Sequence, residues 1–244
     1  MMFTPSNIAG HPTHERDGAG LDARVRATIL AAPVAITMIC LGLCMPTEGR
    51  RFYDWLTSEN KPVEMLTFVL ALVAAVMGVN FAIELWRRRP RERFAGIFYI
   101  VFALGMFVIG MEEIAWGQSL LGFQTPQAWA EMNAQHETTL HNLSGFQGHN
   151  DILRFAFGAG GLVGIALAPL LPRFRALWPH RVLVLWFLII AACSAVQLYV
   201  DAMPNGPLVR PLEKLGRLAE VIELLISIAA VLYLWINRRQ LARA

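Results

Sequence analysis

Residues 64–86 read EMLTFVLALVAAVMGVNFAIELW, and residues 87–93, RRRPRER, follow directly. The first stretch is apolar between an acidic start, Glu64, and an acidic residue near its end, Glu84. As a helix rising about 1.5 Å per residue it covers a hydrocarbon core of about 30 Å. The five arginines behind it (Arg87, Arg88, Arg89, Arg91 and Arg93) are the flank that holds such a helix end on the cytoplasmic side. Runs of similar length recur on both sides. They place spans at about 27–45, 64–86, 94–117, 152–171, 182–200 and 215–236.

Of the 244 residues 56% are hydrophobic and 16% charged, where a soluble domain is about a quarter charged. A closed β-barrel also satisfies its backbone in lipid, but it would show short alternating segments, which this chain lacks. The expected fold is therefore all-α, a six-span transmembrane helical bundle. Residues 1–24, rich in Gly, Pro, His and charge, read as a mobile cytoplasmic tail. Residues 25–238 form one transmembrane domain, and residues 239–244 a second cytoplasmic tail.

The net charge of +3 and a pI near 9.0 raise the question of nucleic acid. The arginines stand in short clusters beside the spans, which is a topology signal and not a phosphate-tracking surface. Fourteen of the 21 Lys and Arg fall on the side of the two termini and six on the other, with Arg154 just inside span four. Both termini are thus expected in the cytoplasm, with the chain in a bacterial inner membrane. Cys40, Cys44 and Cys193 lie within apolar runs and read as small buried hydrophobes.

Small-residue ridges predict close helix packing. One is Ala74, Gly78 and Ala82 on span two; another is Ala156, Gly160, Gly164 and Ala168 on span four. The polar positions of the two halves do not correspond, which argues against a transporter built on duplicated halves.

An ionisable side chain at mid-bilayer costs roughly 2.5–3.5 kcal/mol, so each one needs a reason. Counted at about 1.5 Å per residue from the arginine-marked ends, Glu112 and Glu113 lie about 27–29 Å up span three. On the same scale Gln197 lies about 24 Å up span five and Asp201 about 30 Å, while Glu220 and Glu223 lie about 24 and 20 Å up span six. With Glu64, carboxylates of four spans converge in one layer at the outer leaflet. Glu112 and Glu113 are adjacent and point about 100° apart, so one of them faces a shared site squarely. Arg217 stands four residues after Glu213 and three before Glu220, so intrahelical ion pairs are the simpler account of that end.

The segment from Gln118 to Asn150 has no Lys or Arg, three of the six histidines and many amides. Thr125-Pro126 is a helix start, with Thr125 as cap. Asn133, Glu137 and His141 then follow at steps of four, predicting an interfacial or lid helix over about 126–143. Glu137 and His141 at i, i+4 can ligate one metal ion together, with Glu112 or Glu113 and the span-six glutamates, Glu220 and Glu223, completing the set. A divalent metal such as zinc is the cofactor this implies. Trp116, Gln118, Asn133, Gln135, Asn142, Gln197 and Asp201 are the candidate substrate-binding residues of the same face.

The run GMEEIAWGQ at 110–118, with Thr125-Pro126, Asn133, Gln135, Glu137 and LHNL at 140–143, resembles a signature of bacterial multi-pass membrane proteins of no assigned activity. Glu64-Met-Leu-Thr67 fits the same pattern, and the likeness covers about residues 55–145. It implies a site without implying a reaction. Glu112-Glu113 is also similar to the opening of the motif of CAAX-protease-like membrane hydrolases. This chain departs from it at Gly117, where that family carries Arg, and no Phe-x-x-x-His or His-x-x-x-Asn follows.

Two functional readings emerge. In one, Glu112, Glu113 and Glu223 are catalytic, serving metal-assisted hydrolysis or group transfer on a lipid-linked or membrane-embedded substrate. In the other, the polar layer binds a lipid, a ligand or a partner membrane subunit without chemistry. An ion pathway is a third possibility, but only Asn80 and Glu84 continue a route through the inner half.

Overall fold

Backbone groups in lipid have no water to bond, so each apolar run must satisfy its own N–H and C=O groups as a helix. The computed structural model describes residues 20–44, 47–58, 60–89, 92–131, 133, 138–139, 150–207 and 209–243, without the side chains of residues 47, 48, 119, 210, 211, 213 and 214. The tail expected over residues 1–24 falls outside the described residues as far as residue 19.

The described helices are α1 (Ala23–Cys44), α2 (Thr47–Leu56), α3 (Pro62–Arg88), α4 (Arg93–Glu113), α5 (Gln118–Leu121), α6 (Gln127–Ala130), α7 (Asn150–Leu167), α8 (Val184–Ala202), α9 (Val209–Gly216) and α10 (Ala219–Arg243). Six segments are long and apolar enough to cross a membrane: α1, α3, α4, α7, α8 with its preceding turn, and α10. The chain is an all-α bundle and a multi-pass membrane protein.

Helix α10 is the hub. Its apolar window is 61% buried, against 17% for α7. Near its C-terminal end Arg238 Nε donates to Glu84 Oε2 of α3 at 2.9 Å, and Arg89 donates to the Leu241 carbonyl. Tyr233 Oη donates to the Leu177 carbonyl at 2.7 Å, and Asn237 Nδ2 donates to Tyr99 Oη at 3.0 Å. Tyr99 in turn donates to the Ala176 carbonyl. The connection between α7 and α8 is thereby tied to α4 and α10 through its own carbonyls, groups that would be costly if buried without donors.

Close approaches follow small residues. A Cβ at Gly78 of α3 would stand 3.0 Å from Ala103 Cβ of α4, and Ala74 and Ala82 on the same ridge are fully buried. On α7 the contact face is Gly158, Gly161 and Gly164. A Cβ at Gly158 would meet the Ala191 backbone nitrogen at 2.6 Å, and one at Gly161 the Phe187 ring at 2.2 Å. The expected ridge on this helix is corrected accordingly: Ala156 and Gly160 are exposed, and only Gly164 of that set packs tightly. Phe187 of α8 occupies the neighbouring face, and its ring needs the space over Gly161.

Pro33 sits inside α1 and has no N–H for the carbonyl of Ile29, four residues back. The buried Trp186 of α8 supplies the missing donor, its Nε1 donating to the Ile29 carbonyl at 2.8 Å. A break in one helix thus docks another.

Span three was expected to continue to residue 117, but α4 ends at Glu113. Ala115, Trp116 and Gly117 have φ of 46°, 55° and 96°, three left-handed residues in succession that turn the chain out of the helix. The helix expected over 126–143 is also corrected. Among the described residues it is the single turn Gln127–Ala130, and its cap position is Pro126, not Thr125. Side chains that bond the backbone compete with a helix. Gln118 Oε1 accepts from the Thr138 backbone N–H at 2.8 Å, and Asn133 Nδ2 donates to the Thr139 carbonyl at 2.8 Å.

Candidate functional site

The arginine-poor end of the bundle gathers Glu113 at the last turn of α4 and Glu220 and Glu223 in the first turns of α10. Each offers a carboxylate oxygen, and the three oxygens lie within 4.8 Å of one another. Glu113 is 9% exposed, although it ends a helix. The left-handed turn behind it carries the chain away and leaves Glu113 facing α10. Glu220 and Glu223 are three apart, so both present to the same side of their helix.

Arg154 of α7 closes the arrangement. Its Nε and Nη2 both donate to Glu223 Oε1, the former at 3.0 Å, and its Nη1 donates to Asp151 Oδ1 at 2.9 Å. Its side chain is 12% exposed. Charged groups this deep are held in place by partners, and Arg154 fixes one oxygen of Glu223 through two donors. Among the described residues, three glutamates and Asp151 gather around the Arg154 guanidinium, and a cation or a proton is what relieves close like charges.

Glu112 is turned away from this trio and accepts from Trp116 Nε1, one turn on. Trp116, expected as an interfacial anchor, packs edge-on against Phe107 at 6.4 Å. Gln118 and Asn133 hold the segment after α4 rather than lining the trio, since Gln118 also bonds Thr125 Oγ1 at 3.0 Å. Gln197 Nε2 donates to Asp201 at 2.9 Å, and Gln197 lines a small open cleft beside Arg154. Gln135, Glu137, His141 and Asn142 lie outside the described residues, as does the side chain of Glu213. Glu64 caps the turn before α3, accepting from the Asn60 backbone N–H.

Among the described residues, the groups that come together are thus Glu113, Glu220 and Glu223. Arg154 and Asp151 join them without having been singled out as site residues. The signal was present: an arginine inside an apolar run, three residues after an aspartate, is an ion pair pointing into a bundle.

No protein family, curated protein or solved structure matches this chain. Its function is therefore argued from the site itself.

The donor set is chemically informative. Carboxylate oxygens suit hard divalent cations such as Mg²⁺, Mn²⁺ or Ca²⁺, and zinc most often takes nitrogen or sulfur as well. Three carboxylates drawn from two helices fit such an ion and leave coordination positions for water or substrate. The trio fits a hard divalent cation.

Proposed function

We propose that this protein binds a divalent cation at Glu113, Glu220 and Glu223 and uses it for hydrolysis or group transfer on a lipid-linked or membrane-embedded substrate. The observation that carries the reading is the convergence of three carboxylates from two spans within 4.8 Å, at one end of the bundle. When bound, the cation supplies Lewis acidity to a carbonyl or phosphoryl oxygen. The chain's own residues do the rest. Arg154 orients Glu223, the helix end at Glu113 brings the opposing carboxylate, and in this reading the Glu113 oxygen left off the cation takes the proton from an attacking water. Glu112, bonded to Trp116, positions the turn rather than the chemistry. In this reading both termini are cytoplasmic and the site faces the outer leaflet of a bacterial inner membrane, in keeping with the arginine bias.

The test is the metal content of protein purified in mild detergent without chelator. About one manganese, magnesium, calcium or zinc per chain is expected, reduced at least about tenfold in Glu113→Gln and Glu220→Gln, since each removes one of three charged ligands. A folded, monodisperse protein without metal overturns the reading.

One observation favours a second reading. Arg154 already pairs with both Glu223 of α10 and Asp151 of its own helix. The cluster then serves as a latch between α7 and α10 in a binding or assembly subunit, and metal-free protein that co-purifies with a stoichiometric partner is its signature.

A further inference from the structure

At the arginine-rich end of the bundle, opposite the carboxylates, the arginines fall into two groups. The connectors 87–93 and 168–183 together carry eight arginines and one carboxylate, Glu92. On the flank of α3 and α10 the guanidiniums are paired. Arg88 and Arg238 share Glu84, and Arg89 donates to the Leu241 carbonyl. On the flank of α4 they are not. Arg93, Arg173 and Arg175 are exposed, and none of the three has an ion-pair partner among the described residues.

Ring contacts join the two connectors on that second flank. Phe94, in the first turn of α4, lies 6.3 Å from the Phe174 ring, and Arg173 Cζ stands 4.9 Å over the same ring. The face of an aromatic ring attracts a cation, so Arg173 is kept beside the start of α4, where Arg93 stands. The backbone behind it is pinned as well. Trp178 Nε1 donates to the Leu171 carbonyl at 2.8 Å, and Tyr99 and Tyr233 donate to the carbonyls of Ala176 and Leu177.

An apolar stripe starts at the same point. Phe94, Ile97, Val101 and Leu104 recur at helical spacing along α4 and are each more than half exposed. At about 1.5 Å per residue the stripe is about 15 Å long, half of a hydrocarbon core of about 30 Å. That is the reach of an acyl chain in one leaflet, and guanidiniums from two connectors stand at its foot. A guanidinium matches phosphate oxygens in both geometry and charge. Glu92 offsets one positive charge, and neither connector holds a second carboxylate to receive an ammonium headgroup. We propose that this flank binds an anionic phospholipid, its phosphate held by Arg93 and Arg173 with Arg175 beside them, and one acyl chain along the α4 stripe. The site lies at the other end of the bundle from the carboxylates and is independent of the function proposed above.

The test uses full-length protein stripped of lipid in neutral detergent. It is titrated with phosphatidylglycerol and with phosphatidylcholine of identical acyl chains, and bound lipid is counted by native mass spectrometry. Phosphatidylglycerol is expected to bind at least about fivefold more tightly, less than two arginines beside an anionic headgroup can supply. Arg93→Gln with Arg173→Gln should bring the ratio to within about twofold of one. Arg93→Lys with Arg173→Lys keeps the charge and should retain most of the preference. Arg239→Gln with Arg243→Gln removes the same charge from the last turns of α10, where Arg243 lies against Gly20, and should leave the ratio unchanged. Arg173→Gln with Arg175→Gln is a second route to the loss if the first pair does not fold. Each Gln pair leaves twelve Lys and Arg at this end against six at the other, so the orientation signal persists.

Equal affinity for the two lipids overturns the proposal. So does a preference that survives either Gln pair in the connectors, or one lost equally in the Arg239 and Arg243 pair, which would mark the general charge of that end. Inorganic phosphate that displaces phosphatidylglycerol at equal concentration would also overturn it, leaving an anion site with no part for the acyl chain.

Discussion

Glu112 and Glu113 leave α4 about 100° apart, and their surroundings give them different work. Glu113 turns into the bundle toward Glu220 and Glu223, and Glu112 accepts from the Trp116 indole, which the left-handed turn at 115–117 brings back over the helix end. Of the three consecutive residues with positive φ, the two that are not glycine, Ala115 and Trp116, cost of order 1–2 kcal/mol each in backbone energy. Their persistence requires compensation, and the Trp116–Glu112 bond is a visible part of it. Trp116→Phe keeps the ring against Phe107 and removes the N–H. It should lower stability by about 1.5–3 kcal/mol, the range for a hydrogen bond to a charged group, read as thermal unfolding in detergent. Metal content should stay at the wild-type value. A parallel loss of metal would show that the turn positions Glu113 as well.

At the scale of elements, α1 and α8 are joined through a defect. Pro33 orphans the Ile29 carbonyl, and Trp186 satisfies it across the interface. In lipid an unsatisfied carbonyl has no water to turn to. Trp186→Phe should therefore destabilise the protein by about 1–3 kcal/mol, the cost of stranding a buried acceptor. Pro33→Ala restores the helix's own donor, so the same tryptophan change should cost distinctly less in that background. A double-mutant cycle on unfolding in detergent reads the coupling, and simple additivity would count against it. An aromatic chain extends the same logic across the bundle. Phe81 and Tyr99 join α3 to α4, Phe102 and Tyr233 join α4 to α10, and Phe157 and Phe187 join α7 to α8, with ring centroids 4.6, 5.5 and 5.8 Å apart.

At the scale of the whole molecule, the expected up-and-down order of spans agrees with the contacts at both ends. Glu84 meets Arg238 at one end, and Glu113 meets Glu220 and Glu223 at the other. Alkaline phosphatase, active only outside the cytoplasm, tests the orientation. Fused after residue 205 it should be active, and after residue 244 inactive, because the arginine-rich connectors hold their side in the cytoplasm. The opposite pattern would place the carboxylate cluster on the inner face and remove an outer-leaflet substrate from consideration.

How much was legible without coordinates varied with the range of the interaction. The six spans follow from local composition, because about twenty apolar residues in lipid have helix as their open choice. The layer of carboxylates follows from counting rise along each helix, which is also a local quantity. The partition of Glu112 from Glu113 was expected in kind but not in direction, since direction depends on which neighbour stands at that height. The continuous helix expected over 126–143 is absent at the described residues 131, 133, 138 and 139, where side-chain bonds from Gln118 and Asn133 to the backbone near Thr138 and Thr139 compete with it; the rest of that segment lies outside the described residues. The ridge on α7 was misplaced because Gly158 and Gly160 are equal in sequence, and only the position of Phe187 and Ala191 tells them apart. Arg154 was seen as a charge count and not as the partner of Glu223, 69 residues away. The sequence by itself determined the membrane class and the six apolar spans, since these depend on one chain segment and the bilayer. Only the tertiary structure decided which of their residues meet, because a helix's rotation about its own axis is set by the side chains of its neighbours.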